Sequence, residues 1–302
     1  MYKTCHRDFW VLLCLLTMTM LLVSLPVQAS DQGSGQASDE MLAMVTDISG
    51  SVNVIHQYGE NQLDLLAKLF DQDQLTLVEG ARVVIVHLTN SQEYEIKGPS
   101  TYRVTENGLK HLEGGQAREY NVLTGNAVAT DTIRSGNIAY AGLALKGNDQ
   151  GSSQTTRVKT LRGGKTFNPY PWFKWQSVSP GKQYQLVLKN AAGKVVWKTS
   201  TSASAIKLPA NIFLKRGQKY TWTLATGNSD QVLTNTFSMA TIKEEKQVRK
   251  ILEDSNHKFA DRVLKATLLE SMQFVDDANV LWQKLYRERP DNKTLKLKMQ
   301  AI

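Results

Sequence analysis

Apolar side chains recur at two different periods along this chain, and the change from one to the other falls near Ala240. Period-2 alternation begins at Met44-Val45-Thr46-Asp47-Ile48, passes Gly50 and resumes at Val52-Asn53-Val54-Ile55. Residues 81–88 are rich in β-branched side chains. Thr89-Asn90-Ser91-Gln92 makes a turn into residues 93–97, and Gly98-Pro99-Ser100 makes another into residues 101–104. Short strands separated by turn chemistry predict a small all-β module. A second β block is predicted over residues 166–241. Phe173-Lys174-Trp175, the clean alternation of residues 183–189, Val195-Val196-Trp197 and Tyr220-Thr221-Trp222 are its strands. By alternation Trp175, Tyr184 and Trp222 face its core. After Ala240 the spacing becomes helical. Val248, Ile251 and Leu252 share one face, as do Ala260, Val263, Leu264 and Leu268, and then Ala278, Leu281, Trp282 and Leu285. Pro290 ends the last of these helices.

The first 29 residues obey another grammar. Lys3 and Arg7 precede an uncharged apolar run over residues 9–25, then Val27-Gln28-Ala29 and polar Ser30. That order predicts a signal peptide cleaved after Ala29 and a periplasmic destination. An uncleaved N-terminal membrane anchor is the alternative, and the one route to a membrane. Residues 30–41 are small and polar and read as a flexible leader. Cys5 and Cys14 both lie in the signal, so the mature chain holds no cysteine. Disulfides, thiolate catalysis and cysteine-bound zinc are excluded for it.

Three resemblances rest on these patterns. The stretch "VTDISGSVNV", with residues 69–104 after it, resembles the FecR-type periplasmic domain over about residues 44–115. The departure is Gln72-Asp73, where that family usually has Gly-Asp, a change expected to loosen one turn. The resemblance implies a non-catalytic β-domain used in signalling or envelope interactions. Residues 166–241 look like an immunoglobulin-like or fibronectin-type sandwich, with Trp175 as core tryptophan. Residues 266–292 resemble the second half of a tetratricopeptide repeat, with Ala278 and Pro290 at its landmarks. Gln273 stands where that family prefers glycine, and Val275 where it prefers an aromatic. One repeat is too few for a solenoid, so a docked helical hairpin is expected.

Charge divides the chain again. Residues 30–149 carry 16 acidic and 8 basic side chains, whereas residues 150–229 carry 13 basic and no acidic ones. The basic block is either a solvated surface, an internal match to the acidic module, or a contact for an anionic polymer outside the cytoplasm. Export disfavours nucleic acid.

Catalytic signals are few. His56, His87, His111 and His257 have no partner at metal-ligand spacing, and His87 reads as a strand histidine. Gly163-Gly164-Lys165-Thr166 echoes the end of a phosphate loop, but Lys159 occupies the position where the leading glycine belongs, so it reads as a turn. Asp71/Asp73 and Glu93/Glu95 are spaced i, i+2; on a strand each pair shares one face, expected to be solvated. Asp71/Asp73 also stands as a calcium candidate. The candidate ligand surface is aromatic and basic: Tyr170 and Trp172 in a proline-flanked segment, beside Lys174 and Lys165.

The expected architecture is therefore mostly β. A FecR-like β-domain (42–115) precedes a β/loop extension and linker (116–165), an immunoglobulin-like β-sandwich (166–241) and an α-helical tail (242–302). No catalytic residue, cofactor or metal is assigned. The expected function is that of a non-catalytic interaction or scaffold protein whose partner is an envelope protein or an anionic cell-wall polymer. A peptidoglycan- or glycan-binding factor and a FecR-type signalling component are the alternatives.

Overall fold

The computed structural model describes residues 40–57, 59–121, 133, 156–176, 181–226, 232–253 and 258–300. The expected signal segment, nearly all of the leader, most of the 116–165 extension and His257 lie outside the described residues. Met41, at the leader's end, is buried.

The first β block forms ten strands: β1 (Ala43–Ser49), β2 (Val52–His56), β3 (Gly59–Gln62), β4 (Lys68–Leu69), β5 (Gln74–Leu77), β6 (Arg82–His87), β7 (Gln92–Lys97), β8 (Ser100–Thr105), β9 (Gly108–Gly114) and β10 (Arg118–Asn121). They pair into two five-stranded sheets, ordered β10-β7-β6-β1-β4 and β3-β2-β5-β8-β9. Alternate residues of both fill one core, with Val45, Val83, Ile85 and Ile96 from the first and Val54, Leu75, Tyr102 and Val104 from the second. Gly50 turns the chain between β1 and β2 at φ +75, where a Cβ would lie 2.8 Å from the Cα of Ala81. The glycine there is required by close approach as well as by backbone angle.

A β-bulge at Thr46 shifts the pairing of β1 with β6, so that Val45 faces Ile85 and Asp47 faces Val84. The extra residue re-aims the rest of the strand. Without it Asp47 would point into the sandwich core. With it Asp47 joins Arg82 and Glu95 on the sheet's other face.

The second block contributes β11 (Arg157–Val158), β12 (Lys165–Thr166), β13 (Trp172–Gln176), β14 (Tyr184–Asn190), β15 (Val195–Thr201), β16 (Ala205–Lys207), β17 (Lys219–Thr226) and β18 (Val232–Met239). A three-stranded sheet, β11-β13-β16, faces a five-stranded one, β12-β18-β17-β14-β15. Trp175, Tyr184 and Trp222 all point into the core between them. Phe173 packs edge-on against Trp222, with ring centroids 5.2 Å apart, a geometry that aligns the positive ring edge with the negative face. The indole N–H of Trp222 donates to the Leu161 carbonyl at 3.1 Å.

Four helices come next, where a hairpin was expected: α1 (Ile242–Glu253), α2 (Phe259–Ser271), α3 (Val275–Glu288) and α4 (Lys293–Gln300). Thr241 and Glu244 cap α1 reciprocally: the Glu244 N–H donates to the Thr241 hydroxyl, and the Thr241 N–H donates to the Glu244 carboxylate. Pro290 does mark the end of α3, but Asn292 starts α4 by accepting from the Leu295 N–H at 3.0 Å.

The helices form a layer rather than a tail. α2 is buried nearly all round, with Asp261, Lys265 and Thr267 among its buried residues. Leu264 and Leu268, with Ile251 of α1, cover Met44 and Val86 on the outer face of the first sheet. Val263, Ala266 and Leu269 pack with Ala278, Trp282 and Leu285 of α3, and that cluster takes in Leu65 from the first block and Ala240 from the second. All described residues belong to one compact unit.

The two glutamines read as departures from glycine adopt left-handed backbone, Gln72 at φ 67 and Gln273 at φ 69. The Gln72 turn is closed all the same: its N–H donates to the Val104 carbonyl at 3.0 Å, and the Val104 N–H donates to the Asp73 carbonyl at 2.8 Å. The cost of the departure is backbone strain at one residue. Replacement by glycine removes that strain, against a smaller entropic loss from the unfolded chain. Gln72→Gly and Gln273→Gly are each expected to stabilise the protein by about 0.5–1 kcal/mol. Urea unfolding checks this through a raised midpoint at unchanged slope.

Candidate functional site

The sequence-derived surface separates into two places. Trp172 and Lys174 lie two residues apart on β13 and both point to solvent, Trp172 being 46% exposed. The Lys174 ammonium sits 5.8 Å from the Trp172 ring centroid. Tyr170 is half-buried in the turn leading to β13, and its N–H donates to Asn168 Oδ1 at 2.9 Å. Lys165 lies on β12 in the opposite sheet, where its ammonium is 2.7 Å from a Glu244 carboxylate oxygen. It ties α1 to the second sandwich and is not part of the Trp172 face.

The register of β13 supplies residues that sequence reasoning missed. On one side Arg157 lies opposite Gln176 and Val158 opposite Trp175, which carries Lys159 opposite Lys174. On the other, Trp172 lies opposite Lys207 and Lys174 opposite Ala205. Residues directly opposite share a face, so Lys207, Lys174, Lys159 and Arg157 run along one exposed surface from Trp172 to Gln176. Each of the four is exposed. β11 and β16 are two and three residues long, too short for alternation to reveal them.

The Gly163-Gly164-Lys165 turn is a structural latch. Gly164 has φ +89, and a Cβ there would lie 2.6 Å from the Gln273 carbonyl oxygen. The Lys165 N–H donates to that carbonyl at 2.7 Å, and the Leu161 N–H donates to Asp276 Oδ2 at 3.0 Å. The α2–α3 turn is thus hydrogen-bonded to the second sandwich. Burial raises the Asp276 carboxyl above the usual range, against the pull of the Leu161 N–H and of Arg162 and Lys174. Burial and the neighbouring Asp276 together push Asp277 up to about 6.

The other titratable candidates also have structural duties. Asp73 is buried and accepts from the Phe70 N–H at 2.8 Å, with His56 Nδ1 2.7 Å from its other oxygen. Asp71 instead meets Gln72 Nε2 at 3.1 Å, so the two carboxylates diverge. Among the described residues no three His, Cys, Asp or Glu side chains gather as a metal site. His87 is buried, its Nε2 2.8 Å from the Thr105 carbonyl. Burial lowers its pKa, an effect that the Thr105 carbonyl and Asn90 oppose. His111 Nε2 lies 3.1 Å from the Gly114 carbonyl in its own strand.

Glu93 and Glu95 share a face, but that face is covered by helices rather than by water. The Glu95 carboxylate receives Arg82 Nε at 2.6 Å, Arg82 NH1 reaches Asp47 at 2.7 Å, and Arg289 NH1 reaches the other Asp47 oxygen at 2.6 Å. The Arg289 guanidinium also lies 3.5 Å from the centroid of the Phe259 ring. Burial works to raise the Asp47 pKa, but the hydrogen bonds from Arg289 and Arg82 outweigh it and hold the carboxyl below its usual range. Glu93 is only 5% exposed. Burial first, and the Asp261 carboxylate second, push it up to about 7, against Lys258 and Arg82.

No family model matches the chain, and no curated protein does. Among solved structures, one described as a cell surface anchoring domain shares 24% identity over 22% of this chain and 88% of its own, with a TM-score of 0.21. PorZ is described as an essential bacterial surface component of the type-IX secretion system of Porphyromonas gingivalis. It shares 10% identity over 64% of this chain and 25% of its own, with a TM-score of 0.22. Neither likeness transfers a residue role to this chain. Among the described residues no helix is long and apolar enough to cross a membrane.

Two carboxylates of opposite shift give opposite pH responses. The depressed Asp47 contributes stability above its unfolded pKa, and that contribution is lost as pH falls through its native value. Asp47→Asn is expected to cost about 2–3 kcal/mol, less than a fully buried pair because both arginines are about one-third exposed. Denaturant melts should show that difference shrinking below about pH 4. The raised Glu93 binds more protons native than unfolded between about 4.5 and about 7. Its contribution therefore falls as pH rises through that window, by an amount on the order of 3 kcal/mol. Glu93→Gln is expected to flatten that part of the stability profile, read from melts between pH 4 and 8.

Proposed function

We propose that this protein is a non-catalytic scaffold of the bacterial cell envelope that holds two β-sandwiches in a fixed relation and binds an envelope partner without transforming it. One observation carries the reading. The helical layer is bonded to both sandwiches at once, through Arg289 to Asp47 in the first and through Glu244 to Lys165 in the second. Glu245 of α1 adds an ion pair to Arg216. A layer that couples two β modules and leaves their outer sheets open is suited to presenting surfaces.

The first sandwich fits the FecR-type resemblance, and the second fits an immunoglobulin-like module. Export is inferred from the basic, apolar and small-residue order of residues 1–29. Cell fractionation with mass measurement of the mature chain tests the reading. The expected product lies outside the cytosol and begins at Ser30. A cytosolic location, or covalent turnover of a bound partner, would overturn it. An intact start at Met1 in the membrane fraction would instead favour the FecR-type signalling alternative.

A further inference from the structure

We propose that the outer face of the sheet β11-β13-β16 is a binding site for an anionic polysaccharide, with Trp172 stacking on a sugar ring and Arg157, Lys159, Lys174 and Lys207 holding the carboxylates or other charged groups along the polymer. The inference rests on the scaffold reading and names the ligand of one of its surfaces.

Charge is the first argument. Lys159 and Lys174 lie directly across a strand pair, joined by the Lys159 N–H to the Lys174 carbonyl at 2.8 Å. Like charges in that position repel and destabilise a sheet. Residues 150–229 contain no acidic side chain to relieve the repulsion. Asp276 reaches Lys174 electrostatically, but it is committed to the Leu161 N–H in the turn contacted by α3. A bound anion removes a repulsion that the folded protein otherwise carries. Two other cations of this block, Lys165 and Arg216, are matched by Glu244 and Glu245 of α1. Across the strand pairs of the Trp172 face, Lys159 lies opposite Lys174 and Lys207 opposite Trp172, with no carboxylate among them.

Shape is the second. Neighbouring strands are about 5 Å apart and alternate residues along a strand about 7 Å, so the cations form a shallow grid. Ala205 opposite Lys174 keeps it flat beside the indole. A folded acidic protein would seek apolar pockets for anchors, whereas a linear polymer with charges at sugar spacing needs only a flat grid and a ring to stack on. An extended acidic peptide would add to a sheet edge, but the strands flanking β13 are two and three residues long. They offer too little ladder. The backbone that carries Trp172 is pinned: the Thr160 hydroxyl donates to the Trp172 carbonyl at 2.7 Å and accepts from the Lys174 N–H at 3.0 Å.

Native affinity electrophoresis of the mature protein in gels carrying polygalacturonate tests this, with neutral dextran and poly-glutamate as comparison matrices. Retardation is expected in polygalacturonate, absent in dextran, and weakened as salt rises. Lys207→Glu and Trp172→Ala are each expected to weaken binding about tenfold, equivalent to about 1.4 kcal/mol. Lys198→Glu, on the outer face of the opposite sheet, should change it less than twofold, and thermal melts should show all three variants folded. Equal losses from Lys198→Glu and Lys207→Glu would overturn the site in favour of a diffuse basic field. Equal binding to poly-glutamate with Trp172→Ala silent would overturn the glycan in favour of an acidic protein. No retardation of wild type would overturn the site outright, while leaving the location and processing tests of the scaffold reading untouched.

Discussion

A sheet that is apolar on both faces must be covered twice, and the rest of this protein is arranged around that requirement. β1 and β6 send Val45, Val83 and Ile85 into the first sandwich and Met44 and Val86 out of its other side. Exposed, that outer row would be a contiguous apolar patch. α2 covers it, and its far side, with Val263, Ala266 and Leu269, is apolar in turn and packs on α3. α3 in turn meets the second sandwich at the Gly164 turn. The fixed relation between the two β modules is thus a by-product of burying one sheet.

Polar groups set the register of this stack. The bulge at Thr46 brings Asp47 out of the core and under two guanidinium groups, one from its own sheet and one from the end of α3. Hydrophobic contact between a helix and a sheet tolerates sliding, whereas a carboxylate shared between Arg82 and Arg289 does not. Glu93 does the reverse. It places a carboxyl opposite Asp261 in the same covered face, and the interface accommodates it by favouring its neutral form.

The β character of both blocks, the inward set Trp175, Tyr184 and Trp222, and the helical period after Ala240 were legible because alternation and 3.6-residue spacing survive in single sequences. The left-handed backbone at Gln72 and Gln273 was not expected, and the turn at Gln72 is closed where a loosened one was expected. What else escaped was non-local. Nothing in residues 93–95 indicates that a helix from residues 259–271 will lie over them, so Glu93 and Glu95 read as solvated. Lys165 sits five residues from Tyr170 in sequence, yet the chain crosses from one sheet to the other between them. Lys207 reaches Trp172 through a three-residue strand that carries no periodic signal. Pro290 marked a boundary correctly, but Asn292 two residues later opened a further helix.

Asp47 and Arg289 are 242 residues apart in the chain. A ribosome delivers the first long before the second, and a translocon threading the N-terminus ahead would do the same. During that interval the sheet built from β1 and β6 has no helix to lie under, and loop closure over such a distance is slow. Until α1 and α2 are made, that apolar face has no cover, and transiently exposed faces of this kind are where folding chains aggregate.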